Sequence, residues 1–125
     1  MEFREKQSIY LQIAEYVCEQ ILLNNWLPGN KILSIRDLAI FMEVTPNTIQ
    51  RTYDFLTQKQ IIINKRGVGY FVEYEAIERV LTFRREQFIE NELPVIFKNM
   101  YLLKLGTQEF KTRFDEFITQ NFKET

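Results

Sequence analysis

A chain of 125 residues, 46% apolar and 26% charged, carries enough apolar side chain to build a core and does not read as a disordered tail. It has no histidine and a single cysteine, which removes the commonest general base, the commonest metal ligand, internal disulfides and cysteine-based zinc sites. No apolar run reaches the length of a membrane span, and the charged start MEFREKQSIY lacks the apolar middle of a signal peptide, so a cytoplasmic protein that is not an enzyme, without cofactor or metal, is expected.

Ile9, Ile13, Val17 and Ile21 recur every four residues, with Tyr16 beside them, which predicts a first helix with one apolar face. Ser8 is placed to cap it, and Asn25 followed by Pro28-Gly29 to end it. The lone Cys18 falls inside this pattern and reads as a buried structural thiol. A second helix opens at Ser34, an N-cap residue with Asp37 three positions on, and buries Leu38, Ala39 and either Phe41 or Met42. The stretch MEVTP breaks the pattern. Thr45 can then cap a third helix, and Pro46 suits its first turn, where the missing N–H is no loss. Ile49, Tyr53 and Leu56 form the inner stripe of this helix, which should end near Lys59. Two β-prone runs, Ile61–Asn64 and Gly69–Val72, flank Lys65-Arg66-Gly67-Val68 and predict a hairpin with two positive charges at its tip. Three helices followed by such a hairpin make a winged helix-turn-helix over residues 1–74.

The character changes after Glu73. Leu81, Phe88, Val95 and Leu102 repeat every seven residues and predict a long helix with an apolar seam, which Pro94 should bend or divide. Gly106 punctuates, Thr107 can cap, and Phe110, Phe114, Phe117 and Ile118 line a second apolar face. The expected fold class is therefore mainly α with a small β-hairpin: a winged helix-turn-helix, then a C-terminal α-helical hairpin over residues 75–125. The seam and the phenylalanine face are more apolar than two exposed helices should be, so residues 81, 88, 95, 102, 110, 114 and 117 are expected to join two copies of the chain in a homodimer. Two such helices leave no room for a drug-sized cavity.

The charge distribution points to a partner. The net charge is −1, yet between Asn30 and Tyr70 six basic residues face three acidic ones, leaving a mildly acidic remainder. Within that basic unit, Thr45, Asn47, Thr48, Gln50 and Arg51 crowd the leading turns of the third helix, where polar groups can reach base edges and phosphates from a major groove. Arg36 starts the preceding helix, where the macrodipole favours an acid, and a cation there suits a partner anion. Lys65 and Arg66 add a second basic contact where a wing would sit. Double-stranded DNA is the partner these features fit best; the alternative is a protein–protein interaction module that uses the winged helix as a packing surface.

The span YLQIAEYVCEQILLNNWLPGNKILSIRDLAIFMEVTPNTIQRTYDFLTQKQIIINKRGVGYFV resembles the DNA-binding domain of the GntR superfamily of bacterial transcription regulators. The features that match are the QIAE helix, the PG before the second helix, S-x-R-x-L-A, V-x-P-N-T-I-x-R-x-Y and the RGxGYFV wing. The short helical tail resembles the YtrA-like subfamily. A sequence-specific DNA-binding regulator, a repressor, is therefore expected, and a two-fold dimer of it demands a palindromic operator. The resemblance implies that Arg36, Thr45, Asn47, Thr48, Gln50 and Arg51 face DNA, with Ser34 seating the reading head and Arg66-Gly67 entering the minor groove beside Lys65. Leu33 stands where the family usually has Pro, and Glu43 and Gln60 stand where it usually has Gly.

Overall fold

The computed structural model describes Phe3 and residues 7–122. Helix α1 (Ile9–Leu22) buries Ile13, Val17 and Ile21 as the four-residue spacing predicts, together with Cys18. Ile9, one repeat earlier, is exposed, while its neighbour Tyr10 in the same turn packs against α3. The Ser8 side chain makes no capping hydrogen bond. Helix α2 (Ile35–Met42) is capped as expected, the Asp37 N–H donating to Ser34 Oγ at 3.1 Å. Its core contribution comes from Leu38, Ala39 and Met42, while Phe41 points outward and is 63% exposed. In helix α3 (Pro46–Gln58) the Thr48 N–H donates to Thr45 Oγ1 at 3.4 Å and Pro46 occupies the first turn. A helix periodicity of 3.6 then separates Ile49, Thr52, Tyr53 and Leu56, all buried, from the polar residues between them.

Strands β1 (Ile62–Lys65) and β2 (Gly69–Val72) pair antiparallel, with Ile62 opposite Val72 and Lys65 opposite Gly69. The first strand thus starts and ends one residue later than the sequence suggests, and Lys65 belongs to the strand rather than to the tip. The reason is the turn: Gly67 takes φ 77° and the Val68 N–H closes onto the Lys65 carbonyl at 2.8 Å, leaving only Arg66-Gly67-Val68 as loop. Residues 29–32 pair along the other edge of β2, with Gly29 N–H donating to Val72 O at 2.8 Å and Ile32 N–H to Tyr70 O at 2.9 Å. Gly29 is favoured there by its φ of 82°, and a Cβ would also push aside the exposed Tyr74 ring, 2.8 Å away.

Helix α4 (Ala76–Gln87) holds the first departure in domain organisation. Ala76 and Val80 are buried in the same core as α1–α3, and Arg79 Nη1 donates to the Gln60 carbonyl at 2.7 Å. The first compact unit therefore extends to Arg84, past the Tyr74 boundary expected from sequence, and the second comprises Arg85–Thr125. In the second unit a π-helical turn at Phe88–Glu92 leads into α5 (Leu93–Leu102), with Pro94 in the first turn of that helix. Pro94 cannot donate to the carbonyl four residues back and its ring crowds that turn; the helix is not divided there but runs on through the π-helical turn, where the Leu93 N–H bonds to Phe88 O. Helix α6 (Thr107–Asn121) begins after Gly106, which occupies the cap position assigned by sequence to Thr107, and no side chain caps it. Neither α5 nor α6 buries a single residue.

Candidate nucleic-acid interface

The helix-turn-helix is built by α2, a three-residue turn and α3. Glu43 closes α2 in left-handed backbone, φ 58°, and Val44 half-buries its side chain while its N–H returns to Ala39 O at 3.0 Å. The turn thus forms with a side chain in left-handed backbone. Beyond it, Ser34, Arg36, Thr45, Asn47, Gln50 and Arg51 are exposed and Thr48 is half-buried. On the wing, Lys65, Arg66 and Gly67 are exposed.

Several of these side chains already have partners that constrain what they can do. Ser34 and Thr45 each accept one backbone N–H in capping and keep the O–H as a donor, and Thr45 Oγ1 also lies 3.1 Å from Thr48 Oγ1. Gln50 Nε2 donates to Asp54 Oδ1 at 2.9 Å. A carboxylate only accepts, so the amide is oriented with its carbonyl oxygen and one N–H turned away from Asp54. The Arg51 guanidinium sits over the Tyr10 ring, Cζ 4.1 Å from the centroid. Lys65 Nζ lies 4.3 Å above the Phe71 ring across the hairpin. Arg36 and Arg66 form no ion pair among the described residues.

Two contributors escape sequence reading. Tyr10 meets Arg51 across two helices, and no local spacing links them. Lys31 lays its side chain over Gly69, the Cε 2.8 Å from where a Cβ would stand, which brings another cation to the base of the wing. Its signal was available, a positive charge directly after PGN. An open cleft of about 460 Å³ also lies beside α2, lined by Asn25, Trp26, Asn30, Lys31, Ser34 and Asp37 among others. The expectation from sequence is no large small-molecule pocket, and this open cleft departs from it in size, because it is shaped by the irregular loop between α1 and α2 rather than by any periodic face. No helix among the described residues is long and apolar enough to cross a membrane.

A helix-turn-helix with a polar outer face, completed by a basic two-stranded wing, defines a winged-helix DNA-binding protein. The chain belongs to the bacterial regulatory proteins of the gntR family, whose model matches residues 9–72. It is 33% identical over 108 residues to the HTH-type transcriptional regulator YhcF of Bacillus subtilis, covering 86% of this chain and 88% of that one. It is 30% identical over 106 residues to the HTH-type transcriptional repressor YtrA of the same organism, covering 82% of each. A GntR family transcriptional regulator from Listeria monocytogenes has a solved structure that superposes with TM-score 0.73 at 30% identity, over 91% of this chain and 98% of that one. The protein is thus a YtrA-like transcription regulator with a DNA-binding winged helix, in a family of DNA-binding proteins that are not enzymes.

Proposed function

We propose that the protein is a cytoplasmic repressor that binds a palindromic operator as a homodimer. In this reading α3 lies in the major groove and Asn47, Gln50 and Arg51 meet base edges. Arg36 and the Thr45–Thr48 turn hold phosphates, Ser34 seats α2 on the backbone, and Arg66-Gly67 follows the minor groove with Lys65 on a phosphate. The observation that carries it is the split of α3: Ile49, Thr52, Tyr53 and Leu56 are buried while Asn47, Gln50 and Arg51 stand exposed. An ordinary solvated helix face would favour long charged residues, whereas this one offers amides and a guanidinium, the groups that pair bidentately with adenine and guanine. The similarity to the repressor YtrA favours repression over activation.

The test is selection of bound duplexes from a random pool, followed by titration of the winner and of random DNA at several salt concentrations. A reader of DNA shows a sequence preference and a steep negative dependence of log K on log salt. A winged helix used for packing against another protein shows neither.

A further inference from the structure

We propose that Tyr10 is a positioning residue for DNA recognition: its ring holds the Arg51 guanidinium in place on the face of α3 before the duplex arrives. The inference rests on the reading of α3 as the groove-facing helix and adds to it a residue outside the helix-turn-helix.

The platform is fixed to the helix it serves. The Tyr10 carbonyl accepts a hydrogen bond from buried Thr52 Oγ1 at 2.8 Å, and the Tyr10 ring meets Phe55 edge-on, centroids 6.4 Å apart. The Thr52 bond ties the Tyr10 backbone to the inner side of α3, and the Phe55 contact packs the Tyr10 ring against the same helix beside Arg51. Arg51 lies 4.1 Å above that ring. The carboxylate nearest in sequence, Asp54, is turned to Gln50 at 2.9 Å instead. This choice of partner matters. A carboxylate would cancel the positive charge and claim N–H donors, whereas an aromatic ring attracts the cation through its quadrupole and leaves the donors for a phosphate or a guanine edge. An arginine ordered in advance also loses less rotamer freedom on binding than one that waits in solvent.

The strength of an exposed cation–π contact sets the expected effect: removing the ring should weaken binding about two- to fivefold. The experiment uses the full chain and the duplex enriched from a random pool by the unaltered protein. Tyr10→Phe should bind as the parent does. Tyr10→Leu should lose about two- to fivefold, Arg51→Ala should lose more, and Tyr10→Leu should add nothing once Arg51 is alanine. Tyr10→Gln is carried in parallel, with thermal melts of every variant, so that a fold lost in one does not decide the outcome. In the DNA-free protein, the Arg51 side-chain protons should show a ring-current shift that persists in Tyr10→Phe and vanishes in Tyr10→Leu or Tyr10→Gln. The proposal is overturned by a missing shift in the parent. It is equally overturned if folded Tyr10→Leu or Tyr10→Gln binds as well as the parent or tighter, or loses as much without Arg51 as with it. Full affinity in Arg51→Ala would be a different failure, removing Arg51 from the interface and the platform's purpose with it.

Discussion

Glu43 and Gln60 both hold left-handed backbone, φ 58° and 60°, at the two positions where glycine is the residue that costs least. Left-handed backbone costs a residue with a Cβ roughly 1–2 kcal/mol, and glycine's extra freedom in the unfolded chain offsets roughly 0.5–1 kcal/mol of that. Gln60→Gly should therefore raise stability by up to about 1.5 kcal/mol, read as a higher denaturant midpoint with unchanged slope; a lower midpoint would mean that the Gln60 side chain contributes contacts worth more than the strain. Titration offers a second check on the core. Burial pushes the Cys18 thiol up to about 12, the nearby Arg84 charge lowering it and Glu15 raising it more weakly, and burial likewise pushes the Tyr53 phenol up while its Oη donates to Leu33 O at 2.7 Å. In the folded protein both groups keep protons that the unfolded chain releases, so stability should hold below about pH 8.5 and fall above it through Cys18, and through Tyr53 only above about pH 10, by up to about 1.4 kcal/mol per pH unit for each group. Urea melts at pH 7, 9 and 10 check the sign, and a thiol reagent at pH 8 should label Cys18 only on unfolding. The residues legible in advance from local spacing were the Ser34–Asp37 cap, the Thr45 cap and the inner stripe of α3, while the two glycine-replacing turns came from the family resemblance alone. The Tyr10–Arg51 and Gln50–Asp54 pairings were not legible, since the first depends on how two helices cross and the second on a choice among several partners in reach.

The element whose role changed most between sequence and structure is α4. Its seven-residue pattern selects Leu81, which is 43% exposed, whereas Ala76 and Val80 reach the core and Arg84 pairs with Glu15 at 3.4 Å. A periodic apolar stripe tells that a helix has a partner without telling which one, and here the adjacent stripe found the nearer core. The same ambiguity placed Met42 inside and Phe41 outside on α2, and Pro94 could be read as a break but not as the π-helical turn that absorbs it. Where the first unit ends has a measurable consequence. A chain cut after Tyr74 loses Ala76, Val80 and the Arg79 hydrogen bond to Gln60, and full burial of a valine alone stabilises by about 1.5–3 kcal/mol. It should melt well below a chain cut after Gln87, the last residue of α4, which keeps the whole core of the first unit. Equal melting temperatures would show that α4 adds nothing to the winged domain's stability.

At the scale of the whole molecule, the second unit offers apolar surface out of proportion to what a monomer keeps in water. Val95, Leu102, Phe114 and Phe117 are each more than half exposed, and Tyr101 and Leu103 are nearly bare at 84% and 78%. Large exposed apolar patches usually mark an interface, and the homodimer proposed above would bury this one, the expected seam of Leu81, Phe88, Val95 and Leu102 with Phe110, Phe114 and Phe117. It would make the second half-site contact intramolecular, at an effective concentration of order mM, and raise avidity by about 10²–10⁴ over a single winged domain. The exposure of Phe114 allows the dimer to be separated from the fold. In one copy Phe114 is 54% exposed and Phe114→Asp should leave the melting of the first unit unchanged. At a dimer interface the same carboxylate would be buried without a partner, at a cost that breaks association. Sedimentation should therefore find the parent chain as a dimer, and both Phe114→Asp and the chain cut after Gln87 as monomers. On DNA, the two altered chains should bind a half-site duplex as the parent does and lose about 10²–10⁴ in affinity for the palindrome. A variant that stays dimeric, or a monomer that binds the palindrome as tightly as the parent, would assign dimerisation to another surface and leave the phenylalanine face of α6 without the role proposed for it.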